Sequence, residues 1–189
     1  LSQADAGIPR FCLEKGKKPK SIGPEGVGGT WPPPQWEPVS GTRQLAPGIT
    51  FATEIPRIPG RHQSVASFYL DTLGVKPDSV PDDAFLLLDT ADGPTVLLGC
   101  CHSGLANTLA HASQLAGSDS IRRVMGGMHL VDASEDVLRQ SLSALKRHQV
   151  AEAYPSHCTG DDAVTYLTRH FQGKTVELKA GDVLEFQTA

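Results

Sequence analysis

The run Thr95-Val96-Leu97-Leu98-Gly99-Cys100-Cys101-His102-Ser103-Gly104-Leu105-Ala106-Asn107-Thr108-Leu109 changes its period in mid-course. As far as Cys100 it is a short apolar run that reads as a strand. Beyond His102 the residues Leu105, Leu109, Ala112 and Leu115 recur at helical spacing toward Gly117. A strand that hands the chain directly to a helix is the repeating unit of an α/β sheet, and such sheets place their ligands where the strands end. Two more apolar or small-residue runs end in the same way, Val124-Met125-Gly126-Gly127-Met128-His129 and Ala151-Glu152-Ala153-Tyr154-Pro155-Ser156-His157-Cys158. As neighbouring strands they would bring three imidazoles to one edge.

Upstream, Pro47-Gly48 turns the chain from Leu45 into the β-branched run Ile49-Thr50-Phe51-Ala52-Thr53. Ala84 to Thr90 and Thr95 to Cys100 flank Ala91-Asp92-Gly93-Pro94, which has the chemistry of a hairpin turn. Downstream, Ile121 to Met125 reads as a strand. Asp132 and Glu135 stand at capping-box spacing before a helix carrying Leu138, Leu142 and Leu145 on one face. Val150 to Tyr154 is the next strand, and Thr159 is placed to cap a helix with Val164, Leu167 and Phe171 aligned. Strands Thr175 to Leu178 and Val183 to Phe186 are expected around a Gly181-Asp182 turn. Hairpins first, then strand and helix in alternation, give an α/β fold with a mixed sheet.

Residues 1–40 have neither period and carry Trp31-Pro32-Pro33-Pro34-Gln35-Trp36, so they read as an irregular Pro/Gly-rich excursion pinned to the body by its two tryptophans. The basic run Lys15 to Lys20 reads as a solvated loop. Residues 41–189 form the domain body. The chain of 189 residues has a net charge of −4 with scattered Lys and Arg, which argues against a nucleic-acid surface. No apolar stretch approaches the roughly 20 residues needed to span a bilayer, and the start has no signal-like pattern, so a cytoplasmic protein is expected. Cys12, Cys100, Cys101 and Cys158 lack paired zinc-knuckle or disulfide-scaffold spacing and read as reduced thiols.

Neutral imidazole and thiolate are ligands for borderline and soft metals, and three histidines at strand ends outweigh the ordinary reading of each as a structural residue. Gly99, Gly126, Gly127 and Gly160 allow the tight turns such a site needs. Amides at the helix starts after His102 and Cys158 would favour a neighbouring anion, with Ser103 and Thr159 also serving as caps. Arg57 closes a strand, placed to meet an anionic substrate or to pair with Glu54. His62, His111, His148 and His170 are weaker candidates.

Several of these segments resemble signatures of one branch of the metallo-β-lactamase superfamily. Gly99-Cys100-Cys101-His102-Ser103-Gly104-Leu105-Ala106-Asn107-Thr108 is similar to its Gly-Cys-Ser-His-Ala-Gly-Ile-x-Asn-Thr, and Gly126-Gly127-Met128-His129-Leu130 to its Gly-Gly-x-His-Leu. Pro155-Ser156-His157-Cys158-Thr159-Gly160 is similar to its Pro-x-His-Cys-Thr-Gly, and Thr53-Glu54-Ile55-Pro56-Arg57 to its Gly-Glu-Ile-Pro-Arg. Members are commonly named 7,8-dihydropterin-6-methyl-4-(β-D-ribofuranosyl)-aminobenzene-5′-phosphate synthases, or simply metal-dependent hydrolases.

The resemblance implies that this chain is the C-terminal half of a βα/αβ sandwich, with helices on one face of its sheet. It implies a divalent metal, zinc first with manganese or iron as alternatives, held by His157 and by His102 or Cys100, with His129 steadying charge as a catalytic group. Arg57, Ser103, Asn107 and Thr159 would bind substrate. The superfamily's His-x-His-x-Asp-His motif occurs nowhere in these 189 residues and would lie in an upstream half or a partner chain. The implied activity is hydrolysis, or a related transfer, on a small anionic substrate such as a phosphorylated pterin or ribosyl compound, through metal-activated water. The isolated chain would then be inactive. The alternative is a non-catalytic binding module or partner subunit of degenerate fold, and a redox protein using the thiols is a third reading.

Overall fold

The computed structural model describes residues 8–14, 16–22, 37–187 and 189. In chain order its elements are β1 (Phe11–Cys12), β2 (Lys20–Ser21), β3 (Thr42–Ala46), β4 (Ile49–Thr53), β5 (Phe68–Tyr69), β6 (Ala84–Thr90) and β7 (Gly93–Leu98). There follow α1 (Leu105–Ala116), β8 (Arg123–Gly127), α2 (Glu135–Arg147), β9 (Glu152–Ser156), a 3-10 turn (His157–Thr159), α3 (Asp161–His170) and β10 (Lys174–Thr175). Seven strands pair in the order β10-β9-β8-β7-β6-β4-β3. The hairpin half, β3 to β7, is antiparallel, and β7 to β10 run parallel. The expected mixed sheet is therefore present.

Three crossovers step along the sheet in one direction, and right-handed connection then puts α1, α2 and α3 on the same face. The core confirms it. Phe85, Leu87, Val96, Leu98, Val124 and Ala153 alternate toward the helices and meet Leu105, Leu109, Ala112, Leu138, Leu142, Leu145 and Leu167. The residues between them point the other way. Phe51, Leu86, Leu97, Met125 and Tyr154 are direct cross-strand partners, an apolar row across five strands. Within it Phe51, Leu86 and Met125 are half-buried and Leu97 is exposed.

The structure departs from the sequence expectations in four places. Ser134 caps α2, its hydroxyl accepting from Val137 N, because Asp132 lies in a left-handed turn (φ 57°) where its side chain does not reach the helix start. Gly160, not Thr159, precedes α3, since Thr159 is folded into the 3-10 turn. Residues 183–186 form no strand, and the last strand is only Lys174–Thr175. Val176 N and Leu178 N still donate to Ala153 O and Pro155 O (3.0 and 2.9 Å), after which the tail turns away and lays Phe186 over Arg123, 4.5 Å from guanidinium to ring centroid. Finally, the 1–40 region is not wholly irregular, for β1 pairs with β2 and with β5 in a small second sheet. The expectations for Trp31 and Trp36, and for Lys15 in the basic run, lie outside the described residues.

Candidate metal centre

The parallel strands β7, β8 and β9 are neighbours pointing the same way, so their C-terminal ends form one edge. Leu98, Gly127 and Ser156 end these strands, and two residues further on stand Cys100, His129 and Cys158. In register Leu98 is level with Gly126, one residue short of the Gly127–Ser156 pair, and the loops beyond these neighbouring ends bring the three side chains together. Their donor atoms all lie within 4.8 Å of one another, and each residue is half-buried. The loops turn sharply: Cys101 (φ 60°), His129 (φ 45°) and His157 (φ 53°) all occupy the left-handed region that side chains normally avoid. Such conformations persist where the surrounding structure holds them, and they collect at functional sites.

Gly127 makes the close approach possible. A Cβ there would stand 2.7 Å from Gly99 O and 2.8 Å from Cys158 Sγ. Cys158 Sγ lies 3.6 Å from Cys100 O. Hydrogen bonding from the Cys100 side chain and from the His129 amide brings the Cys158 thiol down to about 7, against the opposing effect of burial. Cys101 faces the other way, into the core under α1 beside the Thr108 hydroxyl (3.4 Å), and burial pushes its thiol up. It is an inert thiol.

The site's donor set fits a metal ion. His129 Nδ1 is buried with no hydrogen-bond partner among the described residues, and the His129 ring and the two thiols offer donor atoms within 4.8 Å of one another, a set that suits a borderline or soft cation. His102 stands next to the cluster, its ring centroid 4.4 Å from that of His129 and edge-on to Phe68 at 5.0 Å. Its Nδ1 lies 2.8 Å from Ser64 O, and since a carbonyl only accepts, Nδ1 carries the proton and Nε2 is left as a lone-pair donor. Metal-ligating histidines are commonly held in this way. His157, in contrast, is exposed and outside the cluster.

The other sequence-predicted site residues act as fasteners. The Arg57 guanidinium donates to Ser103 Oγ (3.2 Å), to Val80 O (2.7 Å), to Gln63 Oε1 (3.5 Å) and to Ser79 O, and it makes no pair with Glu54. Asn107 donates to Ser103 O (2.8 Å) and accepts from Ile58 N (3.2 Å). Thr159 Oγ1 accepts from Met128 N (3.1 Å) and donates to Ser156 O (2.8 Å), tying β8's exit to β9's. Nor is the start of α1 open to an external anion. The amide of Ser103 donates to Asp83 Oδ2 (2.7 Å), and α3 opens with its own Asp161 and Asp162.

Sequence reading did not offer Cys158 as a candidate metal donor, although it sits beside His157 in the quoted motif and its thiol lies in this cluster. It also passed over the loop that braces the histidines, where Ser64 Oγ donates to His129 O (3.1 Å) and lies 2.8 Å from His62 Nε2. A cleft of about 470 Å³ opens from Cys100 and His102 onto the apolar sheet face, past Phe51, Leu86 and Leu97.

No protein-family model matches the sequence. The chain is 29% identical over 147 residues to 7,8-dihydropterin-6-methyl-4-(β-D-ribofuranosyl)-aminobenzene-5′-phosphate synthase of Methanocaldococcus jannaschii, a match covering 76% of this chain and 50% of that protein. Over 92 residues it is 37% identical to an uncharacterized protein of the same organism, covering 49% of this chain and 33% of the relative. The solved structure of a metal-dependent hydrolase of the β-lactamase superfamily superposes with a TM-score of 0.70 at 27% identity, over 78% of this chain and 57% of that one. The resemblance read from the motifs is thus borne out in sequence and in fold. The chain spans 50% of the length of the first curated relative and 33% of the second.

Proposed function

We propose that this chain is the C-terminal half of a metal-dependent hydrolase, or related transferase, of metallo-β-lactamase type, and that Cys100, His129 and Cys158 hold its metal from this side. The observation that carries the proposal is the convergence of those three donors, within 4.8 Å of one another, beyond three adjacent parallel strands, with the His129 Nδ1 unpartnered among the described residues. Two thiolates and an imidazole suit zinc better than manganese. When bound, such an ion lowers the pKa of a coordinated water and polarises a phosphoryl or carbonyl oxygen.

The chain's own residues supply position. The Ser64 carbonyl fixes the His102 tautomer, and the Ser64 hydroxyl holds the His129 backbone. His102 Nε2 is then a further donor on the same edge, and His157 faces outward to whatever completes the site. The apolar row Phe51, Leu86, Leu97 and Met125 favours a second half-domain or partner chain packed on that face, bringing the His-x-His-x-Asp-His segment. The first curated relative's name makes a small phosphorylated pterin or ribosyl compound the substrate class to try.

Turnover of chromogenic phosphate esters by the protein with its N-terminal complement tests this reading. Chelator-sensitive hydrolysis that falls by about tenfold or more in Cys158→Ser and in His129→Ala is expected. Hydrolysis indifferent to chelator and to both substitutions contradicts it.

A further inference from the structure

On the helical side of the molecule, away from the metal centre, a cavity of about 190 Å³ lies between α1, α2 and the loop at Arg61. Its lining is Arg61, Ala106, Gln140, Ser143, Ala144, Arg147 and His148, with no carboxylate. Neither arginine has a carboxylate partner among the described residues, whereas Arg10, Arg43, Arg122, Arg123 and Arg139 all do. From these observations we infer that the cavity is a binding site for a phosphate-type oxyanion, free or as a monoester, gripped by Arg61 and Arg147.

The hydrogen bonds show what is spent and what is left. Arg61 Nη1 donates to Ala106 O (3.0 Å) and Asn107 Oδ1 (3.5 Å), which orients the guanidinium, and Nε and Nη2 have no partner among the described residues. Gln140 is engaged at both ends of its amide: its Oε1 accepts from His62 N (3.3 Å) and its Nε2 donates to Asp136 Oδ2 (3.2 Å). The half-buried Arg61 and the exposed Arg147 and Ser143 thus all line the cavity with donors to offer, while the one lining side-chain carbonyl is already taken. A planar guanidinium matches two phosphate oxygens at once, and two of them balance a dianion. The local potential agrees. Burial first, then the charges of Arg147 and Arg61, hold the His148 imidazole below its ordinary value, with Asp119 opposing from the flank. The volume is well below that of drug-sized sites, which fits a small ion or a short monoester.

Arg61 directly precedes His62, whose ring meets Ser64 and through it the His129 backbone, so an anion held by Arg61 would also steady the loop that braces the metal centre. The inference does not depend on a metal being bound.

Titration of the whole chain with inorganic phosphate and, separately, methyl phosphate, followed by calorimetry and by the arginine Nε–Hε resonances, tests it. Saturable binding of one equivalent is expected, weakened about tenfold in Arg147→Gln by loss of one charged hydrogen-bonding partner. Arg139→Gln, on the same helix but already paired with Glu135 and Asp136, should leave it unchanged, as should Cys158→Ser. Equal affinity for both probes marks a phosphorylated ligand, and preference for inorganic phosphate marks the free ion. Non-saturating shifts, or saturable binding that survives Arg147→Gln, would overturn the inference.

Discussion

Replacing Gly127 by alanine tests the tightest joint between fold and site. Its amide donates to Gly99 O at 3.0 Å, and an added Cβ would stand 2.7 Å from that same oxygen, 2.8 Å from Cys158 Sγ and 3.4 Å from Cys100 Cα. Two of these three atoms are backbone and cannot rotate away. The strands must separate or Cys158 must be expelled. Overpacking of this kind costs about 1–3 kcal/mol. In a chain of this size each kcal/mol moves the melting temperature by about 2–4 °C, so Gly127→Ala should melt about 2–12 °C lower. Gly99→Ala is the matched control. Its Cβ meets nothing closer than Ala84 O at 3.7 Å, and its φ is not in the left-handed region. That variant should be unchanged or more stable by up to about 1 kcal/mol, through the smaller entropy of its unfolded chain. Thermal unfolding by circular dichroism, with metal content measured on the same samples, reads both effects. Gly127→Ala melting with the wild type and retaining full metal content would refute the packing argument.

Two further predictions rest on single side chains. His111 has both ring nitrogens buried without partners among the described residues, and its ring meets Phe85 edge-on at 5.9 Å, so His111→Leu should stabilise the fold by about 1 kcal/mol in urea titrations. Burial also holds the His111 imidazole below its ordinary value of 6.5, as it does those of His62 and His148, so below that pH the unfolded chain binds more protons. Stability is therefore complete above about pH 6.5 and is lost as pH falls, and His111→Leu should make that loss shallower without abolishing it. Arg57→Ala removes a charged clamp on Val80 O and Ser103 Oγ, and should cost about 2–3 kcal/mol and expose the 79–83 segment to limited proteolysis. Unchanged stability and cleavage would instead leave Arg57 free for substrate.

Much of the fold was legible because its signals are local. The apolar runs around Ala91-Asp92 and the leucine stripe of α2 each fix an element without reference to the rest of the chain. The misreadings came where two local signals compete or where tertiary contact decides. Asp132 and Ser134 are both good caps, and the left-handed backbone at Asp132 chooses between them. Val183 to Phe186 has strand composition but pairs with neither edge of the sheet, and Phe186 stacks on Arg123 instead. The site was half legible for a related reason. Three histidines drew attention to the sheet edge where the donor cluster lies, yet they stand at unequal distances from their strand ends: His102 four residues on, His129 two and His157 one. Which of them converge is decided by the path of each loop, and periodicity cannot place strand ends and loop turns that finely: His102 still reaches His129, ring to ring at 4.4 Å, while His157 does not join them. Cys158 lies in the cluster, and its neighbour His157 lies outside it and exposed.

Cobalt(II) titration of the isolated chain tests the central claim most directly, because thiolate-to-cobalt charge transfer reports the sulfur ligands themselves. The account predicts one equivalent bound, with a near-ultraviolet charge-transfer band that weakens in Cys100→Ser and in Cys158→Ser and disappears when both are changed, while Cys101→Ser leaves it intact. A wild-type protein that binds cobalt with no thiolate band, or a double variant that keeps the band, would contradict the Cys100, His129 and Cys158 centre.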